Sequence, residues 1–404
     1  MRSLKEIFII GHGPSSSHTM GPAFACDYIL QKYKDNIAQV NVTLFGSLAL
    51  TGKGHLTDWI INQKLSEVKH RVIFDYHNSM EIAIIHPNTM VFTIKGKDGS
   101  FHEEKIISVG GGTIVIDGKV VGDFPDVYPH HKLMDIVKYC KEENLSLVDY
   151  VKKFEGNEII SYLEKVYDAM EASRANGISK TGELPGDLHV QRKARQMYLN
   201  MRNSRDGKKD VLLNVAISSF AVAEENASGG IIVLAPTCGS AGVLPGAIQY
   251  LKMKNYSRKD IVEGLCVAGL IGIIVKTNAS VSGAECGCQA EIGVACAMSS
   301  AMIASVLGYE LDYIAQAAEI AMEHSLGLTC DPVDGYVQIP CIERCAVYAM
   351  KAITCATMAK IIPSQQSKVN FDVSVRTMFE TGKDLNEGYR ETSISGLARI
   401  LKER

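Results

Sequence analysis

The second half of the sequence concentrates its thiols where the chain turns. Nine of the eleven cysteines lie between Cys238 and Cys355. Cys288, Cys330 and Cys341 are flanked by glycine, proline or aspartate, which marks loop junctions. Cys288 and Cys341 fall near the first turns of predicted helices, where unpaired N–H groups and the helix dipole favour the thiolate that binds iron or zinc. These three cysteines are therefore candidate metal ligands.

The spacing of these thiols does not identify the metal. Zinc ribbons and two-cluster ferredoxins use compact Cys-x-x-Cys pairs, and this sequence has none at these positions. The alternative interpretation is that a helical core tolerates cysteine as a small apolar residue. We favour that interpretation for Cys140, Cys266, Cys296 and Cys355.

The first half carries the imidazoles, because ten of the eleven histidines lie at or before His189. A run of hydroxyls with one histidine leads into a helix that can begin at Pro22, and such a helix start suits an anion such as a carboxylate. An elaborate helix cap is the alternative. A second motif places His55 on a glycine-rich loop, where an imidazole suits proton transfer near neutral pH. The hydroxyl run and its histidine are Ser15, Ser16, Ser17, His18 and Thr19.

Two different patterns predict the elements that position these residues. The first 125 or so residues alternate strands with turns and short helices, which predicts an α+β unit with an antiparallel or mixed sheet. From about residue 140 almost everything has helical periodicity, including one predicted helix over Leu147–Arg174. We therefore expect an α+β amino-terminal domain, residues 1–137, followed by an all-α domain, residues 138–404. The predicted strands include Val40–Phe45 and Met90–Ile94, and the predicted helices include Ala23–Lys34 and Leu56–Gln63.

Composition excludes several classes of function. The 404 residues are 46% hydrophobic with a net charge of −3, so the chain offers no broad basic surface for nucleic acid. The charged amino terminus has no signal-peptide core, which predicts the reducing cytoplasm. The uncharged stretch Gly229–Leu251 contains five glycines and two prolines, so we interpret it as a buried loop and helix and expect no membrane span.

Taken together, these motifs resemble the iron–sulfur L-serine dehydratases, in the same order and over essentially the whole chain. The similarity extends to Arg390–Thr392 near the end. The motifs that carry it are Gly13–Pro22, Gly52–His55, Gly287–Glu291, Cys330–Val333 and Pro340–Arg344.

The resemblance implies an L-serine ammonia-lyase that uses a [4Fe–4S] cluster to convert L-serine to pyruvate and ammonia. Cys288, Cys330 and Cys341 match the cluster ligands of the family, and three thiols leave one of four irons open for substrate. A base must remove the α-proton, and His55 is the first choice and His18 the second. We therefore expect the active site to form between the two domains.

The resemblance also implies substrate contacts, domain roles and assembly. The first domain resembles an allosteric-substrate-binding domain and the second the catalytic domain of the family. Homodimerisation is a family expectation. The serine-rich loop would hold the carboxylate of L-serine, and the candidate substrate-binding residues are Ser15, Ser16, Ser17, Thr19, Lys53, Thr237, Asn278 and Arg344.

Other functions remain open at this stage. A related cluster-dependent lyase could act on L-threonine or L-cysteine, and a non-catalytic iron–sulfur sensor would need neither His55 nor the serine-rich loop. A pyridoxal-phosphate enzyme is disfavoured because the glycine-rich stretch Val109–Thr113 lies between predicted strands, with no helix to receive a phosphate. The sequence departs from the family in the thiols Cys238, Cys286 and Cys345 and in a carboxyl-terminal tail without the cysteine of some relatives.

Overall fold

The computed structural model describes residues 1–77, 86, 88–122, 124–363 and 367–403. The structure is mixed α/β, with one large sheet and many helices. The chain divides into two compact units: Gly11–Asp123 forms one, and Met1–Ile10 joins Phe124–Arg404 in the other.

The unit Gly11–Asp123 is built on a six-stranded sheet with strand order β3-β2-β4-β5-β6-β7. β2 and β3 are parallel, and the remaining neighbours are antiparallel. Val40, Val42 and Leu44 alternate into the core, as the period of two requires. Among the described residues before residue 124, the strands are β1 Ile10–His12, β2 Ile37–Leu44, β3 His70–Phe74, β4 Thr89–Gly96, β5 Phe101–Gly110, β6 Thr113–Ile116 and β7 Lys119–Val121, and the helices are α1 Gly21–Tyr33, α2 Gly46–Leu50 and α3 Thr57–Lys64.

The second unit is dominated by helices, with one short strand, β8 Ile231–Val233. Two of its helices, Arg258–Asn278 and Val294–Val306, are buried along most of their length, and small residues let these two helices approach closely. A Cβ on Gly264, for example, would lie 2.6 Å from the Val306 side chain. The helices are α4 Leu133–Glu142, α5 Leu147–Glu155, α6 Glu158–Ser179, α7 Ala194–Asn203, α8 Val211–Ala227, α9 Val243–Met253, α10 Arg258–Asn278, α11 Gly283–Cys286, α12 Val294–Val306, α13 Leu311–Glu323, α14 Cys341–Ile361, α15 Phe371–Asp384 and α16 Gly396–Lys402.

One helix boundary differs from the sequence-based expectation. The helix predicted over Leu147–Arg174 is two helices, because Gly156 ends α5 with a φ of 81°. The compact units divide between residues 123 and 124, so the whole of α4 belongs to the helical unit. The physical reason is that α4 buries Leu133, Ile136 and Val137 in the core of the helical unit. The domain assignment with a boundary after residue 137 stays a prediction.

One helical stretch, Gln289–Val306, is long and apolar enough to cross a membrane by length and composition alone. Of these 18 residues, 83% are buried inside the protein. A core helix of a folded domain has this property, and α12 packs against α10, α13 and α14.

Candidate active site

The three predicted thiols are held by different local structures of the helical unit. Cys288 directly precedes a π-helical turn, Gln289–Gly293, which leads into α12. Cys341 is the first residue of α14. Cys330 lies in a loop, where its N–H donates to the carbonyl of Tyr389 and its carbonyl accepts from Glu391. All three cysteines are buried. Cys288 and Cys341 lie at helix starts, as the sequence predicts.

Two of these thiols converge on a carboxylate. The Sγ atoms of Cys288 and Cys330 each lie 3.9 Å from Oε2 of Glu291. The three ligand atoms lie within 4.8 Å of one another, an arrangement that can hold a metal ion. A hydrogen bond to Cys288 and burial raise the pKa of Cys330 well above its usual range. Burial and the neighbouring Cys288 do the same for Cys341. A bound cation would reverse this preference by stabilising the thiolates.

Glu291 is half-buried and sits in a cradle made by two glycines. A Cβ on Gly283 would lie 2.4 Å from Oε2 of Glu291, and one on Gly239 would lie 3.3 Å from Oε1. Burial raises the pKa of Glu291, whereas the Thr237 hydroxyl and the Arg344 guanidinium lower it. Glu291 ends the motif Gly287–Glu291 but is not among the residues predicted to bind metal or substrate. Its spacing of three residues from Cys288 at a helix start is the signal that could have identified it.

Arg344 supplies positive charge beside the thiols. Its Nη1 donates to the carbonyl of Thr329 at 2.8 Å, and its Nη2 lies 3.9 Å from Asp331 Oδ1. Burial opposes its charge, but the nearby thiols of Cys288 and Cys341 raise its pKa. The guanidinium therefore balances negative charge that develops on the thiols.

The structure places the other predicted residues of this unit differently. Thr237 lies beside the Glu291 carboxylate, and its hydroxyl is 3.1 Å from Ser240 Oγ. Asn278 uses its amide nitrogen to donate to the carbonyls of His131 and Ile274, so it fixes the end of α10. The substrate-binding roles predicted for Thr237 and Asn278 stay predictions.

Two thiols outside the predicted set, Cys286 and Cys345, are held by other contacts, although Cys345 is close enough to Cys288 and Glu291 for both to raise its pKa. All eleven cysteines are free and buried. Cys286 packs against Gly382, where a Cβ would meet its Sγ at 2.6 Å. Cys345 donates to the carbonyl of Gly239 at 3.2 Å, and burial raises its pKa to about 12. Both cysteines are therefore explained by packing.

The sheet unit brings His18 and His55 together. Their ring centroids lie 4.7 Å apart. Burial lowers the pKa of both imidazoles, and His55 lowers that of His18 further. Both rings are therefore neutral near pH 7, the state in which an imidazole accepts a proton.

The hydrogen bonds distinguish the two histidines. Both ring nitrogens of His18 meet hydroxyls, at 2.8 Å to Ser17 Oγ and 3.0 Å to Ser47 Oγ. His55 Nδ1 lies 3.1 Å from the carbonyl of Thr51, which can only accept, so Nδ1 carries the proton. Within the described part of the chain, no side chain or carbonyl hydrogen-bonds Nε2 of His55. Its lone pair is therefore available to a substrate.

The serine-rich loop positions this pair of histidines. Ser15 caps the π-helical turn Ser16–Met20 by accepting from the N–H of His18. The Thr19 hydroxyl donates to the carbonyl of His55 at 2.8 Å, and Ser108 Oγ donates to the carbonyl of Ser17. Thr19 therefore acts on the backbone of His55.

Lys53 makes none of these hydrogen bonds. It is exposed, with its Nζ 5.7 Å from the centre of the Phe74 ring. Carboxylate binding by Lys53 and by Ser15, Ser16, Ser17 and Thr19 stays a prediction, as does an active site formed between the domains.

Comparison with known families covers nearly the whole chain. The profile of the family described as serine dehydratase alpha chain matches residues 81–398, and that of serine dehydratase beta chain matches residues 3–71. The boundary between the two matches lies inside the sheet unit, so it does not coincide with the division into compact units.

Curated relatives match from end to end. L-serine dehydratase 2 of Escherichia coli is 38% identical over 98% of this chain and 98% of its own length. The L-serine dehydratase of Haemophilus influenzae is 38% identical over 98% and 99%. That of Helicobacter pylori strain 26695 is 36% identical over 99% of both chains.

Proposed function

Because this chain belongs to the iron–sulfur L-serine dehydratase family, we propose that it converts L-serine to pyruvate and ammonia. The observation that carries the proposal is the convergence of Cys288 and Cys330 beside Cys341 and Arg344. End-to-end similarity to L-serine dehydratases supports the substrate and the lyase reaction.

The residues of the helical unit fit an iron–sulfur group. Two thiols and a carboxylate lie within 4.8 Å of one another. The third thiol, Cys341, is close enough to Cys288 for that neighbour to raise the pKa of Cys341, and soft thiolate ligands suit iron. We assign Cys288, Cys330 and Cys341 as the ligands of a [4Fe–4S] cluster. When bound, such a cluster supplies a Lewis acid that polarises the β-hydroxyl of serine.

The proton chemistry falls to the histidine pair. We assign His55 as the base, since its Nε2 lone pair is available while Thr51 fixes the tautomer through Nδ1. Thr19 orients His55 through its backbone carbonyl. His18, held by Ser17 and Ser47, is the second choice.

Removal of the α-proton and loss of the β-hydroxyl as water give 2-aminoacrylate. This enamine tautomerises and is hydrolysed to pyruvate and ammonia. The serine-rich loop, Lys53, Thr237, Asn278 and Arg344 are assigned to substrate binding. Among them, Arg344 is the buried cation suited to a carboxylate.

We also propose a domain organisation, a cellular location and an oligomeric state. An α+β beta-type domain, residues 1–137, would precede an all-helical alpha-type catalytic domain, residues 138–404. A cytoplasmic homodimer that binds neither nucleic acid nor membrane agrees with the family expectation and the near-neutral charge. Sedimentation of the holoprotein tests the dimer.

The experiment that tests the function is anaerobic reconstitution followed by steady-state kinetics. We expect a brown protein that bleaches in air and releases pyruvate from L-serine faster than 2-oxobutyrate from L-threonine or pyruvate from L-cysteine. A colourless protein, a pyridoxal band or a preference for another amino acid would overturn the proposal. His55→Ala should lose turnover while it retains the visible spectrum, and full turnover would refute the base assignment.

A further inference from the structure

We propose that Cys288, Glu291 and Cys330 form a mononuclear site for one divalent first-row transition-metal ion in the cluster-free protein. The site takes a first iron ion before a cluster is complete, and it takes zinc as a competitor. This inference deepens the proposed function and rests on two of the same thiols, but it adds a ligand and a ligand class that the three-cysteine assignment lacks.

The geometry matches single-ion coordination. Tetrahedral bonds of about 2.3 Å to sulfur and about 2.1 Å to oxygen place neighbouring ligand atoms about 3.6 Å apart for sulfur and oxygen. The two Sγ to Oε2 distances are both 3.9 Å. Each sulfur–oxygen pair therefore needs only a few tenths of an ångström of adjustment, and the two Sγ atoms lie within 4.8 Å of each other. Water would complete the fourth position.

Cys341 lies outside this group. The set whose ligand atoms fall within 4.8 Å of one another contains Cys288, Glu291 and Cys330 but not Cys341. A site for one ion therefore needs the carboxylate and not the third thiol, whereas the proposed cluster needs the third thiol. This difference separates the two assignments by experiment.

The surroundings hold the carboxylate in place. Gly283 and Gly239 leave the space that Glu291 occupies, and the Thr237 hydroxyl lies beside it. Two thiolates and one carboxylate exceed the charge of a divalent ion by one, and the Arg344 guanidinium supplies the balancing charge. Binding releases one proton from each thiol to solvent, so affinity should rise with pH.

The donor set selects the class of metal. Thiolate ligands favour zinc, cobalt and ferrous iron over magnesium and calcium, and zinc binds more tightly than ferrous iron at a given site. Zinc in this site would occupy two thiols that the cluster requires. We therefore expect one equivalent of zinc to slow reconstitution and a chelator to restore it.

Cobalt provides the test, because thiolate coordination gives Co²⁺ an intense near-ultraviolet charge-transfer band and tetrahedral d–d bands. The full-length protein, stripped of iron and kept anaerobic, is titrated with CoCl₂ and then with ZnCl₂. We expect about one cobalt ion per chain, bound with both bands and displaced by zinc. Glu291→Gln should weaken cobalt binding by about tenfold or more, and Cys330→Ser should remove the charge-transfer intensity of one thiolate.

Cys341→Ser is the matched control, since it removes a buried thiol that neighbours Cys288 but lies outside the three-ligand group, and it should leave cobalt affinity within about twofold. Glu291→Asp, which retracts the carboxylate by one methylene, provides a second variant if Glu291→Gln does not fold by circular dichroism. Equal losses of cobalt affinity in Cys341→Ser and Cys330→Ser would overturn the proposal, because cobalt would then be held by three thiols. Absence of cobalt binding in a protein that reconstitutes and dehydrates L-serine would overturn it and leave the proposed function intact.

Discussion

The cradle around Glu291 offers a substitution that moves one carboxylate and leaves the fold in place. In Gly283→Ala the new Cβ would lie 2.4 Å from Oε2 and 3.0 Å from Cδ of Glu291, and 3.4 Å from Cys330 Sγ. Ordinary contact begins near 3.4 Å, so Oε2 must move by about 1 Å while the thiol can stay. Gly283 is the first residue of α11 and does not have a positive φ, so replacing it with alanine reduces the entropy of the unfolded chain and stabilises the fold by about 0.4–1 kcal/mol.

The displacement is large compared with the tolerance of a metal site. Coordination distances vary by about 0.2 Å, so a shift of about 1 Å removes the carboxylate as a ligand. We expect Gly283→Ala to weaken cobalt binding by about tenfold or more, with a melting temperature equal to or above that of the parent protein. Cobalt titration and thermal unfolding of the same preparations measure both quantities.

Two further variants make the test specific. Gly239→Ala places its Cβ at 3.3 Å from the other oxygen of Glu291, so its effect on cobalt affinity should be smaller. In a Glu291→Gln background, Gly283→Ala should add little, because the carboxylate it displaces is already gone. Displacement of Glu291 would be refuted if Gly283→Ala left cobalt affinity unchanged. It would also be refuted if Gly283→Ala lowered cobalt affinity equally in the parent protein and in the Glu291→Gln background.

Three other outcomes follow from separate features. Burial lowers the pKa of His55, so below about pH 6.5 the unfolded chain binds a proton that the native chain excludes. The free energy of unfolding should therefore decrease as the pH is lowered, by up to about 1.4 kcal/mol per pH unit from this residue. His55→Asn should reduce this pH dependence, which urea unfolding measures. Glu225→Gln removes the negative partner of Arg192, which lies at 3.0 Å in a buried ion pair, and should lower stability by about 3–5 kcal/mol, whereas the double variant with Arg192→Met should recover part of it. Gly382→Ala would place a Cβ 2.6 Å from the Cβ and Sγ of Cys286 and 2.8 Å from its Cα, so it should lower the melting temperature, and Cys286→Ala should not rescue it fully because the backbone contact remains.

Local rules accounted for the parts of the fold that depend on neighbouring residues. Alternation of apolar residues predicted β2 and β4. The same rules joined α5 to α6, because helical periodicity continues through Gly156 even though its positive φ ends the helix. The division between the compact units could not be read from the sequence, since the periodicity of α4 does not reveal which core it joins.

The candidate site shows the same limit at the level of single atoms. The order of five motifs along the chain was sufficient to recognise the family. The residue types of Cys288, Cys330 and Cys341 nominated thiols and that of His55 a base, because the chemistry of a side chain is a property of its residue. The role of Glu291 depends on Cys330, which is 39 residues away and is brought to it only by the packing of the loop against the start of α12.

The pairing of the two histidines likewise depends on tertiary structure, because the His18 ring meets His55 and the Ser47 hydroxyl only in the folded chain. The tautomer of His55 is set locally, by the carbonyl of Thr51 four residues before it. The sequence by itself therefore determined which chemical groups this protein has. Only the folded structure decided which of them lie within bonding distance, since those distances are set by contacts between residues far apart in the chain.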